Sequence, residues 1–231
     1  MALTPAFRKL LKLVEILVNT EAGMTEFREN LKGESTMKIA SRHCMVVIAL
    51  FLLSACGGLR YSQVAPEAKD FHPKKVAILP ADVGTYEEAR GIVEQIFAGV
   101  LVDKKWFADV VDAATIDKQL QSNEEYRRAV LDYLVKLKTI NASDSDLSKK
   151  IGETSQVDAF FVINVDFWNY TRENDKKVGK VGLGIKMIEA STGKIMWKAG
   201  HHEAESYMLI KPNLANVAKD LIKTMVGEMP R

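Results

Sequence analysis

The chain has 231 residues, 47% of them apolar and 27% charged, with a formal net charge of +2; this composition belongs to a folded chain and excludes wholesale disorder. Through Cys56 there are 7 Lys and Arg against 5 Asp and Glu, and beyond it 25 against 25, so the larger part has no bulk attraction for nucleic acid and no nucleic-acid partner is expected. The two cysteines, Cys44 and Cys56, both fall early, which leaves the remainder without a disulfide framework, a thiolate metal site or a cysteine nucleophile.

Residues 1–36 include an amphipathic stretch, Phe7 to Val18, and are read as an upstream extension, with translation expected to start at Met37. From there Lys38 and Arg42 make a short positive flank. Cys44 to Leu53 is an uncharged run of ten residues, and the small pair Ser54-Ala55 precedes Cys56. A helix crossing the hydrocarbon core needs about 20 apolar residues, so this run is too short to span. Its length, positive flank and small-residue exit are those of a secretory signal over residues 37–55. Residues 56–73 mix Gly, Pro and polar side chains without a period and read as a tether.

The folded part is expected over 74–231. Val76 to Leu79, closed by Pro80, predicts a buried strand. Thr85 to Asp103 predicts a helix with Ile92, Val93, Ile96, Phe97, Val100 and Leu101 on one face. Phe107 to Val111 reads as a strand, Thr115 to Gln121 as a helix, and Asn123 to Ile140 as another, with Tyr126, Val130, Tyr133, Leu134 and Leu137 turned inward. A short helix capped by Ser143 follows. From Val157 the period becomes two: one long strand, a second alternating Val181, Leu183, Ile185 and Met187, a turn at Ser191 to Gly193, and a return strand carrying Ile195, Trp197 and Ala199. Pro212 opens a last helix with Leu214, Val217, Leu221, Ile222 and Met225. The predicted fold is a single layered α/β (α+β) domain. It has a mixed sheet of about five strands, helices packed on it, and an antiparallel meander over 157–204.

No G-x-S-x-G elbow, H-E-x-x-H pair or P-loop occurs, so no catalytic residue is assigned and no enzyme is expected. Gly182 and Gly184 sit in a strand of period two, where they leave room for a neighbouring side chain. His201, Glu203 and Glu205 share a strand face at steps of about 7 Å, which suits a solvated strand end better than a metal triad. No metal or cofactor is expected; His201 and Glu203 are the residues that test this. Trp168 and Tyr170 share a face and form a candidate partner surface. Asp82 and Tyr86 join it from the loop at the carboxyl end of the first strand, where α/β sheets bind ligands.

Leu53-Ser54-Ala55-Cys56 resembles the lipobox of bacterial lipoproteins. The resemblance implies that Cys56 carries a covalent lipid and begins the mature protein, with two or three acyl chains anchoring it stably. Gly57, where Asp resembles an inner-membrane retention signal, implies the outer membrane, with the domain facing the periplasm. "KKVAILP", "FADVVDAATID", "QVDAFFVINV" and "IKMIEASTGKIMWKA" resemble the periplasmic domains of the CsgG, LpoB and TolB amino-terminal type. Those relatives share a scaffold and differ in partner. The function expected is therefore a lipid-anchored, non-catalytic envelope lipoprotein. It would dock, regulate or assemble another envelope protein, such as a peptidoglycan synthase or a secretion or assembly complex, or copies of itself. The alternative is a lipid-anchored small-ligand binder or enzyme using the 82–87 loop and the His201–Glu205 strand.

Overall fold

The computed structural model describes residues 61–230. Six strands form one sheet: β1 Tyr61–Val64, β2 Lys75–Ile78, β3 Asp109–Val111, β4 Ala159–Glu173, β5 Lys176–Glu189 and β6 Ile195–Tyr207. The helices are α1 Ile92–Lys104, α2 Ala113–Ser122, α3 Glu124–Thr139, α4 Ser145–Ser155 and α5 Leu214–Gly227. Strand order is β1-β6-β5-β4-β2-β3. β2 pairs in parallel with β3 and β4, whereas β4, β5, β6 and β1 run antiparallel to one another in sheet order. The mixed α/β architecture and its late antiparallel meander are those expected from the sequence, with one strand more.

The short apolar runs in β2 and at the start of β4 follow from burial on both faces of the sheet. Val76 and Ile78 of β2 and Ala159, Phe161 and Ile163 of β4 point to one side. There they meet Val93, Phe97 and Leu101 of α1 and Val217, Leu221 and Met225 of α5. Their sequence neighbours Ala77, Leu79, Phe160 and Val162 point to the other side, against Ile116 of α2, Tyr126, Val130 and Tyr133 of α3, and Ile151 of α4. Phe97 packs edge-on to Phe161 at 5.0 Å on the first side, and Tyr133 edge-on to Phe160 at 5.2 Å on the second, geometries favoured by the ring quadrupoles.

The additional strand lies inside the stretch read as a tether. Tyr61 to Val64 pair with Gly200 to Trp197 at the open edge of β6. The Trp197 indole N–H donates to Ser62 Oγ at 3.2 Å, the Ala65 N–H donates to the Met196 carbonyl at 2.9 Å, and Ala68 is buried. Residues 61–71 thus belong to the sheet and its flank. All four β1 side chains are exposed, so no apolar period marks the strand.

Local boundaries differ where turn chemistry intervenes. α1 begins at Ile92 rather than Thr85, because a 3-10 turn at Glu87–Ala89 and Gly91 at φ 75° break the run; glycine alone adopts that φ without strain. α4 is capped by Asp144, whose carboxylate accepts the N–H groups of Asp146 and Leu147 at 3.1 and 3.0 Å. Ser143 instead bonds the Tyr133 hydroxyl at 2.7 Å. α5 is capped by Asn213, whose Oδ1 accepts from the Ala215 N–H, one residue beyond the proline expected to open it.

α4 docks on the β5–β6 junction through Gly152. A Cβ there would stand closer than 3.0 Å to the Cβ of Ala190 and 3.2 Å from the Val157 carbonyl oxygen. Neither neighbour is the end of a flexible chain. Gly152→Ala is therefore expected to destabilise the fold by about 1–3 kcal/mol, read as a lowered urea midpoint at unchanged slope.

Candidate functional site

The apolar cluster on the α2–α4 side ends at Val162 of β4 and Ile188 of β5. Beyond it, the same face of the sheet is lined by Asn164, Phe167, Gly182, Gly184 and Gly200. Bulky neighbours lie over the three glycines. A Cβ at Gly182 would meet the Phe167 ring at 2.5 Å, one at Gly200 the Tyr61 ring at 2.5 Å, and one at Gly184 the Asn164 side chain. The expectation that Gly182 and Gly184 make room for neighbouring side chains is met.

Where this open half meets α3 there is a groove of about 790 Å³. Leu131 and Val135, one turn apart on α3, form an apolar wall and are 50% and 59% exposed. The opposite wall is the loop after β2. The Asp82 N–H donates to the Ile163 carbonyl at 2.9 Å and the Val165 N–H to the Asp82 carbonyl at 2.8 Å, which carries the β2–β4 pairing past Pro80. Asp82 Oδ2 lies 2.6 Å from Lys138 Nζ, and its Oδ1 accepts the Gly84 N–H at 3.2 Å. The hydrogen bond from Lys138 holds the Asp82 carboxyl below the usual carboxylate range. Beneath the loop, buried Glu94 accepts the Ala81 N–H at 3.1 Å, tying the turn to α1.

The floor carries Lys186, half-buried, opposite Val162 and beside Lys198. Burial, and secondly the Lys198 ammonium, hold its pKa below the ordinary lysine range. Among the described residues it has no ion pair. A cation in this position opposes folding wherever it is charged. Lys186→Met is expected to raise stability at neutral pH by about 1 kcal/mol. A lowered lysine pKa makes the penalty full below the folded-state pKa and smaller as pH rises towards the unfolded value of about 10.4. The difference between wild type and variant in urea unfolding should shrink accordingly in alkaline buffer.

The predicted site residues separate. Asp82 is in the groove. Tyr86 is partly buried against the core of the α1–α5 side, outside the groove lining. Trp168 is 3% exposed and packs in that same core, which removes it from the candidate surface. The cause is a bulge between Val165 and Phe167: the extra residue inverts the alternation, so Val165 and Trp168 both turn to the helix-covered side. Tyr170 follows on that side at the far end, half-exposed, its hydroxyl donating to the Pro212 carbonyl at 2.8 Å. His201 and Glu203 do share a face, opposite Leu183 and Val181. Burial and the neighbouring His202 lower the His201 pKa, and burial raises that of Glu203. Among the described residues no three His, Cys, Asp or Glu side chains gather as a metal site. Asp82 bridges Asn164, and three strand spacings, about 14 Å, separate its line from β6. The 82–87 loop and the His201–Glu205 strand therefore do not form one site.

Lys138, Lys186, Leu131 and Val135 come together as groove residues only through the fold. A signal for the last two existed: an apolar pair at i, i+4 outside the inward set of α3. Leu53, Ser54, Ala55 and Cys56 lie outside the described residues.

The fold and groove define a layered α/β domain with one sheet face covered and the other half open. No family model matches the chain, and no curated relative matches it. Among solved structures, the PelC dodecamer from Paraburkholderia phytofirmans is similar at 18% identity and a TM-score of 0.50, over 74% of this chain and 96% of that one; the two share a fold. Lipoprotein GNA1162 from Neisseria meningitidis matches at 14% identity and TM-score 0.43, over 67% of this chain and 99% of that one. The protein CT253 from Chlamydia trachomatis matches at 8% and 0.44, over 66% and 93%. No helix of the described residues is long and apolar enough to cross a membrane.

Proposed function

We propose that this chain is a non-catalytic envelope lipoprotein, held by a covalent lipid on Cys56, whose domain is a docking and assembly module. The observation that carries the reading is the groove on the half-open sheet face. It combines an exposed apolar wall with an uncompensated lysine and an Asp82–Lys138 pair, the mix of apolar core and polar rim that protein interfaces use. The lipobox-like Leu53-Ser54-Ala55-Cys56 supports the anchor, and Gly57 supports the outer membrane. The fold likeness to PelC, a dodecamer in its crystals, supports self-association ahead of capture of a different envelope protein, and the groove is the face this reading assigns to it. The CsgG and LpoB type resemblance fits the same scaffold role.

Metabolic labelling with a radioactive fatty acid tests the anchor. The wild type should carry label, and Cys56→Ala should lose both label and processing; label on the Cys56→Ala chain would overturn it. Crosslinking in intact cells followed by mass spectrometry tests the docking role. Crosslinks from the α3 wall to a second copy are expected, and crosslinks from other faces alone would refute the groove.

A further inference from the structure

Between β6 and α5 the chain runs through Met208, Leu209 and Ile210, which are 89%, 96% and 87% exposed. Three consecutive, nearly bare apolar side chains at a protruding loop are the kind of patch that soluble surfaces avoid unless something covers it. The surroundings narrow what that is. Tyr207 pairs with Lys177, so the loop stands at the same end of the sheet as the β4–β5 hairpin tip. Residues 172–180 and 205–211 hold five cations, Arg172, Lys176, Lys177, Lys180 and Lys211, against three carboxylates. Lys180 is paired with Glu173 and Lys211 lies over the Tyr170 ring at 4.7 Å. Arg172, Lys176 and Lys177 have no ion pair among the described residues.

The direction of β1 supplies the second line. Because Tyr61 pairs with Gly200 and Val64 with Trp197, β1 runs antiparallel to β6, with Tyr61 as its residue nearest the Tyr207 end. Gly200 to Tyr207 spans about 23 Å, and the five steps from Tyr61 back to Cys56 reach at most about 17 Å. An anchor at Cys56 would therefore hold Tyr61 within about 17 Å of the lipid surface, and the bare apolar loop and the unpaired cations stand about 23 Å along β6 from Gly200, the partner of Tyr61.

We propose that Met208, Leu209 and Ile210 form a membrane-seating loop that enters the lipid surface bearing the Cys56 anchor, with Arg172, Lys176 and Lys177 meeting anionic headgroups. The proposal rests on the lipid-anchor reading of Cys56. A lipid surface, rather than a second copy, is the occupant because the bare apolar loop and the unpaired cations stand together at one end of the sheet, and a tether of five steps keeps the anchoring surface near the domain. Acyl chains and a nearby apolar wedge together hold a domain upright where acyl chains alone leave it free to swivel.

The test uses the full chain carrying Leu209→Trp, reconstituted in phosphatidylethanolamine and phosphatidylglycerol vesicles with or without bromine on the acyl chains. Trp168 and Trp197 are buried and Trp106 is partly so, so wild type supplies the background. Expected are a blue-shifted emission from the introduced indole and bromine quenching at least about twofold above wild type, reduced when Lys176 and Lys177 are changed to Glu. Emission at the wavelength of a water-exposed indole, in protein shown by fatty-acid label to be acylated, would overturn the proposal. So would a blue shift without bromine quenching, which assigns the loop to a second copy. Should wild type carry no fatty-acid label, the anchor reading fails by itself. Bromine quenching in that unacylated protein would still establish the loop, and its absence would remove both.

Discussion

Replacing Leu131 and Val135 together by glutamate is expected to disperse the proposed self-assembly while leaving the domain folded. Both side chains are already half or more in water, so the isolated domain loses little, within about 0.5 kcal/mol. In a docked state the same pair is buried, and two carboxylates without partners would be desolvated there. The lost apolar burial and the added charges together weaken association by two or more orders of magnitude, about 3 kcal/mol or more. Light scattering of the purified protein should show the mass fall to that of a single chain while the circular dichroism spectrum is unchanged. An unaltered mass would place the assembly surface elsewhere.

The second large effect is alkaline. Tyr133 lies in the core beneath α3, and burial pushes its phenol up to about 12; burial also raises that of Tyr126, whose hydroxyl bonds Ser155 at 2.6 Å. A raised folded-state value means the fold keeps these phenols neutral. The contribution of Tyr133 is fully present below the unfolded value of about 10 and is lost as pH rises through about 12; that of Tyr126 is lost in the same direction. For Tyr133 alone the loss amounts to about 2–3 kcal/mol over that window. Tyr133→Phe should flatten the fall in urea-unfolding free energy between pH 10 and 12, while costing about 1 kcal/mol at pH 7 through the vacated Ser143 hydrogen bond. Equal alkaline slopes in the two proteins would sink the assignment.

The parts of the fold that were legible in the sequence are those where one physical effect dominates. The apolar runs at Val76–Leu79 and around Phe160 are buried on both sides, and Gly182 and Gly184 make space, so composition and period led directly to them. The candidate surface failed at Trp168 because a bulge at the exposed Asp166 shifts the alternation by one, and nothing in a period-two reading marks where such a residue falls. β1 escaped for the opposite reason: it is bound by backbone hydrogen bonds to an edge, and its exposed side chains carry no pattern. The groove joins Leu131 on α3, Asp82 beyond β2 and Lys186 on β5. These residues are distant in sequence and adjacent only through the sheet order, so no local motif announces them.

The pairing of β1 with β6 also bears on how the domain forms. Ser62 receives its hydrogen bond from Trp197, 135 residues later in the chain. The first of the described strands thus waits during synthesis for almost the whole domain before its partner exists. Pairings of such long range make folding slow, because the loop must close before any contact rewards it. Vectorial, piece-by-piece folding cannot complete this edge. β1 locks only when β6 has arrived, so its protection from proteases or hydrogen exchange reports that the entire sheet has closed.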